Sequence, residues 1–221
     1  MRTKSISLLT IILLVMFSCS NSFAQDSKWY IGAGLGGTEI ENDIVIQDQQ
    51  KSNLSRVDER DVGYKILLGY QAIDYFGVEL SYNDFGTLMI EGSQSDTGFT
   101  SGGKLWQFTS GYGELTAELR SISLGLNFSL PLKKFFKNSI LQRISPFFII
   151  GGHYWDLDMS LTGGINQSVQ DNNGFDFFYG GGINVDITSY LDMRIEYNFY
   201  NLQKVMVEDS DFILASIIFR F

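Results

Sequence analysis

Gly32, Gly34 and Gly37 fall on the G-x-G-x-x-G spacing inside Trp29–Gly37. That spacing lets a backbone approach a dinucleotide pyrophosphate, provided a strand precedes the glycines and a helix N-terminus follows them in a βαβ unit. Here Thr38-Glu39-Ile40-Glu41-Asn42-Asp43 follows, with no helical period. The nucleotide context is missing and no cofactor is expected. The alternation instead puts Gly32, Gly34 and Gly36 on one face of a strand, where absent side chains leave room for larger neighbours. Gly37 is expected at the strand's exit into a loop.

His153 is the chain's only histidine, with Asp156, Asp158 and Ser160 close by in sequence. An enzyme that trims lipid A would need a histidine beside a serine nucleophile and an orienting acid. No hydrolase motif surrounds these residues, so His153 is read as structural and no catalytic residue is assigned. Metal chemistry finds no better footing. No Cys/His cluster is present, and Asp156-Leu157-Asp158 and Glu208-Asp209-Ser210-Asp211 lack the glycine and terminal glutamate of a calcium loop. Both are read as solvated acidic loops.

The elements that would position these residues are strands, because the dominant hydrophobic period is 2. Ile31, Ala33 and Leu35 alternate with glycines. Val62, Tyr64, Ile66, Leu68 and Tyr70 alternate with Gly63, Lys65, Leu67 and Gly69. The pattern recurs at Phe76–Asn83, at Ser121–Leu130 with a start a few residues earlier near Leu115, and at Phe175–Ile187, Leu191–Tyr200 and Ile213–Phe221. Phe147–Trp155 is apolar on both faces, a strand whose inward side the sequence leaves open. Eight strands are thereby predicted. Long polar connections at 39–61, 84–114, 156–174 and 201–211 are interleaved with connections at 72–75, 131–145 and 188–190. This rhythm predicts an all-β, eight-stranded antiparallel up-and-down transmembrane β-barrel, with long loops at one end and turns at the other.

The face chemistry places that barrel in a membrane. One face carries Val, Ile, Leu, Phe and Tyr in strand after strand. The other carries Lys65, Glu79, Asp192, Arg194 and Glu196 among glycines, serines and asparagines. The second face suits a narrow lumen filled by small residues and paired charges, and a closed sheet satisfies every backbone donor in hydrocarbon. Trp29, Tyr70, Phe76, Tyr82, Tyr197, Phe199, Phe219 and Phe221 lie toward strand ends, where aromatic girdles are expected.

The N-terminus reads as an export signal over residues 1–24. Arg2 and Lys4 precede an apolar core, Ser5–Phe17, too short to span a bilayer, and Ser22-Phe23-Ala24 offers small residues for cleavage before Gln25. The barrel domain is then 25–221. Cys19, the only cysteine, keeps a lipoprotein reading open. Cleavage after Ala24 would change the formal charge from −9 to −11, which disfavours nucleic acid as a partner.

With its closing S-I-I-F-R-F, its Gly-rich first strand and R-I-E-Y at Arg194–Tyr197, the chain resembles the small eight-stranded outer-membrane barrels of the OmpA transmembrane-domain and OmpX type. The resemblance implies residence in the cell outer membrane. It further implies that Phe221 is a signal to the barrel-assembly machinery and that Lys65, Glu79, Arg194 and Glu196 are lumen partners. OmpA's periplasmic wall-binding domain has no counterpart after Phe221, so wall anchoring is not implied.

The long connections hold 17 acidic against 5 basic residues. They are expected to face outside and meet lipopolysaccharide through bridging cations, and to carry an unknown extracellular partner. Residues 131–145, with Lys133, Lys134, Lys137 and Arg143 and no acid, are expected on the periplasmic side near anionic headgroups. An eight-stranded lumen is only wide enough for side chains, which argues against a general diffusion pore. Three functions remain: a non-enzymatic structural or binding barrel, a lipid A-modifying enzyme using His153, and a soluble exported ligand-binding barrel.

Overall fold

The computed structural model describes residues 28–41, 45–46, 54–58, 60–92, 98–101, 104–107, 113–137, 140–163, 172–204 and 207–221. The segment 1–24 expected to be an export signal, Cys19 and the tips of the long connections lie outside these residues.

Eight long strands form the barrel: β1 Trp29–Glu41, β2 Arg60–Ile73, β3 Phe76–Gly92, β4 Gly113–Ser129, β5 Ile144–Thr162, β6 Asn172–Asp186, β7 Leu191–Lys204 and β8 Val207–Arg220. Each pairs antiparallel with its neighbours in chain order, and β1 pairs with β8 to close the ring, Tyr30 opposite Arg220 and Gly34 opposite Ser216. Closure pairs the backbone all round, so lipid meets no open sheet edge. Beyond the barrel, Leu54–Asp58 pairs with the far end of β3, and Val45–Ile46, Gly98–Ser101 and Lys104–Gln107 form a separate small sheet.

The strands run well past the segments predicted as strand. β3 continues to Gly92, β5 to Thr162 and β7 to Lys204, while β6 begins at Asn172 and β8 at Val207; β4 begins at Gly113, close to the start expected near Leu115. Much of the predicted loops at 156–174 and 201–211, and the first nine residues of that at 84–114, are therefore barrel wall. The reason lies in the faces. On β4, Ser121, Ser123, Gly125 and Asn127 point inward while Ile122, Leu124, Leu126 and Phe128 point outward. One turn of the pleat further, the same inward side carries Leu119, Ala117 and Leu115, and the outward side carries Arg120, Glu118, Thr116 and Glu114. The geometry is unchanged but the chemistry swaps sides. β5 does the same, with Trp155 and Leu157 inward and Asp156 and Asp158 outward above the lipid-facing Tyr154 and Ile150. On β3 the swap coincides with a bulge between Asp84 and Thr87, where Gly86 takes a positive φ of 80° and donates to the Asp84 carboxylate. Glycine carries that φ without a Cβ clash.

The barrel therefore has two storeys. The turn-side storey is apolar outside and polar inside, as lipid demands. The loop-side storey is polar outside and packs a conventional apolar core of Ile40, Leu88, Ile90, Leu115, Leu119 and Leu157, each no more than 2% exposed.

Gly37, predicted at a strand exit, sits within β1 opposite Ile213 and Val62. The paired glycines of β1 have a packing role. A Cβ at Gly32 would lie 2.3 Å from Ile218 Cδ1 of the adjoining strand β8, so the position is filled by its cross-strand neighbour.

Candidate functional site

The lumen of the turn-side storey holds the charged residues singled out in the sequence. Lys65 of β2 pairs with Glu196 of β7 at 2.9 Å, and Glu79 of β3 pairs with Arg194 of β7 at 2.9 Å. All four side chains are 3% exposed or less. In a ring of eight, β3 and β7 are diametrically opposed, so the Glu79–Arg194 pair spans the lumen. Removing such charges from water is tolerable only when their remaining hydrogen-bonding capacity is met. Glu79 also accepts from the Tyr30 hydroxyl at 2.7 Å and from the Asn127 amide. Arg194 donates from Nε to Asn184 at 2.8 Å and lies 4.5 Å from the centre of the Phe147 ring. Asn198 donates to Glu196 at 3.1 Å.

Tyr30, Asn127 and Asn184 complete this layer, and sequence reading missed them. Tyr30 reaches Glu79 by lying over Gly69, where a Cβ would stand 2.1 Å from Tyr30 Cζ. The only clue in sequence was a glycine on the inward face of β2.

Above the ion pairs lies a neutral layer. Asn83 donates to Ser123 at 2.7 Å and Ser121 at 3.1 Å, and Tyr200 donates across the lumen to Asn83 at 3.3 Å. Aromatic rings close the next level. Tyr200 meets Phe85 edge-on at 4.8 Å and stacks on Phe178 at 5.2 Å, while Phe85 also meets Phe212 at 5.5 Å. His153 sits in this layer, fully buried, with Nε2 2.9 Å from the Asn201 carbonyl oxygen and its ring edge-on to Tyr200 at 5.2 Å. Asp156, Asp158 and Ser160, its neighbours in sequence, point outward from β5. The strand's alternation holds them apart from the imidazole, so no triad is assembled. Among the described residues no group of three His, Cys, Asp or Glu could hold a metal ion.

Below the ion pairs the lumen opens at the turn end into a polar cavity of about 380 Å³ reaching Tyr30, Asn127 and Arg194. Arg220 at its edge pairs with Asp192 at 2.5 Å. Outside, aromatics flank the lipid-facing band at both ends. Trp29 packs on Tyr70 at 4.9 Å and Phe76 on Phe128 at 5.4 Å near the turns, and Tyr64 on Tyr82 at 6.1 Å near the swap. Phe221, after the last strand residue, donates its backbone N–H to Trp29 O at 3.0 Å and stacks beside Phe219 at 6.5 Å. On the turn between β2 and β3, a hydrogen bond from Lys134 holds the Asp74 carboxyl below its ordinary range.

The family model for the outer membrane protein beta-barrel domain matches residues 10–217. The chain belongs to that family. Outer membrane protein A of Shigella dysenteriae is 22% identical over 200 residues, covering 90% of this chain and 48% of the relative. Its counterpart in Salmonella typhi is 24% identical over 179 residues, covering 80% and 42%. The chain thus spans about half the length of these relatives. Among solved structures, Neisserial surface protein A superposes with a TM-score of 0.53 at 12% identity, covering 87% of this chain and 97% of that one. Ail, the attachment invasion locus protein of Yersinia pestis, gives 0.49 at 15% identity, covering 88% and 100%. At such identities the likeness is one of fold. The protein resides in the Gram-negative cell outer membrane, and the soluble-barrel reading is set aside.

Proposed function

We propose that this is a non-enzymatic outer-membrane protein whose barrel is a closed pedestal for an external binding surface. The reading is carried by one observation: from the Glu79–Arg194 tie upward, the lumen is filled by successive layers of buried side chains, ending in an apolar core. Such a lumen supports neither general diffusion nor a substrate path to His153. The loop-side wall instead displays acids outward, among them Glu118, Asp156 and Asp158, at the level where lipopolysaccharide phosphates and bridging cations lie. The long connections above, acidic in composition, carry specificity, since rigid scaffolds commonly present binding residues on loops. Residues 1–24 act as the export signal and Phe221 as the mark for the barrel-assembly machinery.

Two measurements test this. In planar bilayers the purified barrel should give no sustained conductance, and a stable open level would contradict a closed lumen. In a binding screen against whole outer membranes and cell surfaces, deleting the 93–97 and 164–171 segments should abolish capture while heat-dependent gel mobility stays that of a folded barrel. Capture that survives both deletions would remove these two connections from the account.

A further inference from the structure

We propose that residues 131–137 and 140–143 form a basic ledge that binds the phosphate headgroups of anionic glycerophospholipids in the leaflet beside the barrel's short turns. Which leaflet that is rests on the orientation above; the binding itself does not. Two independent features of the segment point to a lipid surface. First, Lys133, Lys137 and Arg143 are exposed, and none has an ion pair among the described residues. The fourth base, Lys134, is already committed, bonded to Asp74 and lying 4.3 Å over the Tyr75 ring. That bond fastens the ledge to the neighbouring turn. Second, Phe135, Phe136 and Ile140 stand 62%, 43% and 80% exposed beside the free bases.

An apolar side chain left in water forfeits the gain of burial. Here a hydrocarbon surface is at hand, because the ledge connects the foot of β4 to the foot of β5. The lipid-facing Phe128 and Phe148 are 46% and 47% exposed there and pair across the two strands. Pro131 and Pro146 bracket the segment, and Leu130 N–H donates to Pro146 O at 2.8 Å, so its two ends are fixed at the rim of the apolar band. Bases just outside the hydrocarbon with aromatics dipping into it is the arrangement that anchors interfacial segments to anionic bilayers. Each base near such a surface contributes roughly fivefold to partitioning.

The test is native mass spectrometry of the detergent-solubilised barrel, counting retained phosphatidylglycerol, phosphatidylethanolamine and lipid A in equimolar competition. The wild type should retain phosphatidylglycerol preferentially. The triple variant Lys133→Gln, Lys137→Gln, Arg143→Gln should lose at least about tenfold of that preference. A control replacing Arg60 and Arg120, on the loop-side wall, should keep it. Should the triple variant fail to fold, the wild type in rising salt gives the same reading, because the preference must fall as screening shortens. Three results would overturn the proposal: an unchanged preference in the triple variant, no preference in the wild type, or loss of lipid A rather than phosphatidylglycerol. Orientation is read separately, by protease added to intact cells. Cleavage within 131–143 with every long connection spared would reverse the barrel and leave the lipid result standing.

Discussion

Glu79 concentrates the chemistry of the lumen, because one carboxylate takes hydrogen bonds from Arg194, Tyr30 and Asn127 on three different strands. Removing Arg194 alone leaves a buried negative charge without its main counter-ion, whereas removing both partners leaves no unpaired charge, only neutral groups that have lost a hydrogen bond. Arg194→Leu should therefore cost about 3–5 kcal/mol in urea unfolding from lipid vesicles, and adding Glu79→Leu should recover much of it. A double variant as unstable as the sum of the single losses would show that the charges do not act as a pair. Lys65, Glu79, Arg194 and Glu196 were legible in the sequence as charges on a small-residue face. Their partners were not. The pairs join positions 115 and 131 residues apart, and ring closure sets which residues meet across the lumen. Tyr30 was illegible for a different reason. The alternation places it with Gly32, Gly34 and Gly36 on the inward face of β1, but its reach to Glu79 depends on the bare Gly69 of the neighbouring strand, over which its ring lies.

At the level of elements, a strand can keep its pleat while its environment changes, and β4 does so between Arg120 and Ser121. Sequence reading followed the apolar lipid face and stopped where that face turned polar. It found the strands' existence and order but cut several of them short, most plainly β3, β5 and β8, whereas the start expected for β4, near Leu115, is close to its observed start at Gly113. Glu114-Leu115-Thr116-Ala117-Glu118-Leu119-Arg120 alternates as cleanly as the stretch after it, with the apolar residues on the other side. A change of phase without a change of period was the available signal. The two storeys should respond differently to the same truncation. Leu157→Ala empties part of a packed core and should cost about 2–5 kcal/mol. Leu124→Ala, with its side chain 57% exposed toward lipid, should cost clearly less. Equal losses in the same unfolding assay would argue against an upper core of the soluble kind.

For the molecule as a whole, the two storeys mean that the bilayer grips only the turn-side part of the barrel, and the rest stands in water as a rigid sleeve filled by its own side chains. On the function proposed above, the sleeve is the fixed base that carries the acidic connections. The position of the water boundary is the central claim, and it can be read directly along the outward side of β4. The only cysteine in the sequence is Cys19, so single cysteines at 114, 118, 122, 124 and 126 can be reported one by one. They would be treated with a membrane-impermeant maleimide in outer-membrane fragments open on both sides. Positions 114 and 118 should label, and 122, 124 and 126 should stay protected until the membrane is dissolved in detergent. Labelling at 124 as fast as at 118, or protection at 118, would contradict the placement of the membrane and with it the two-storey barrel.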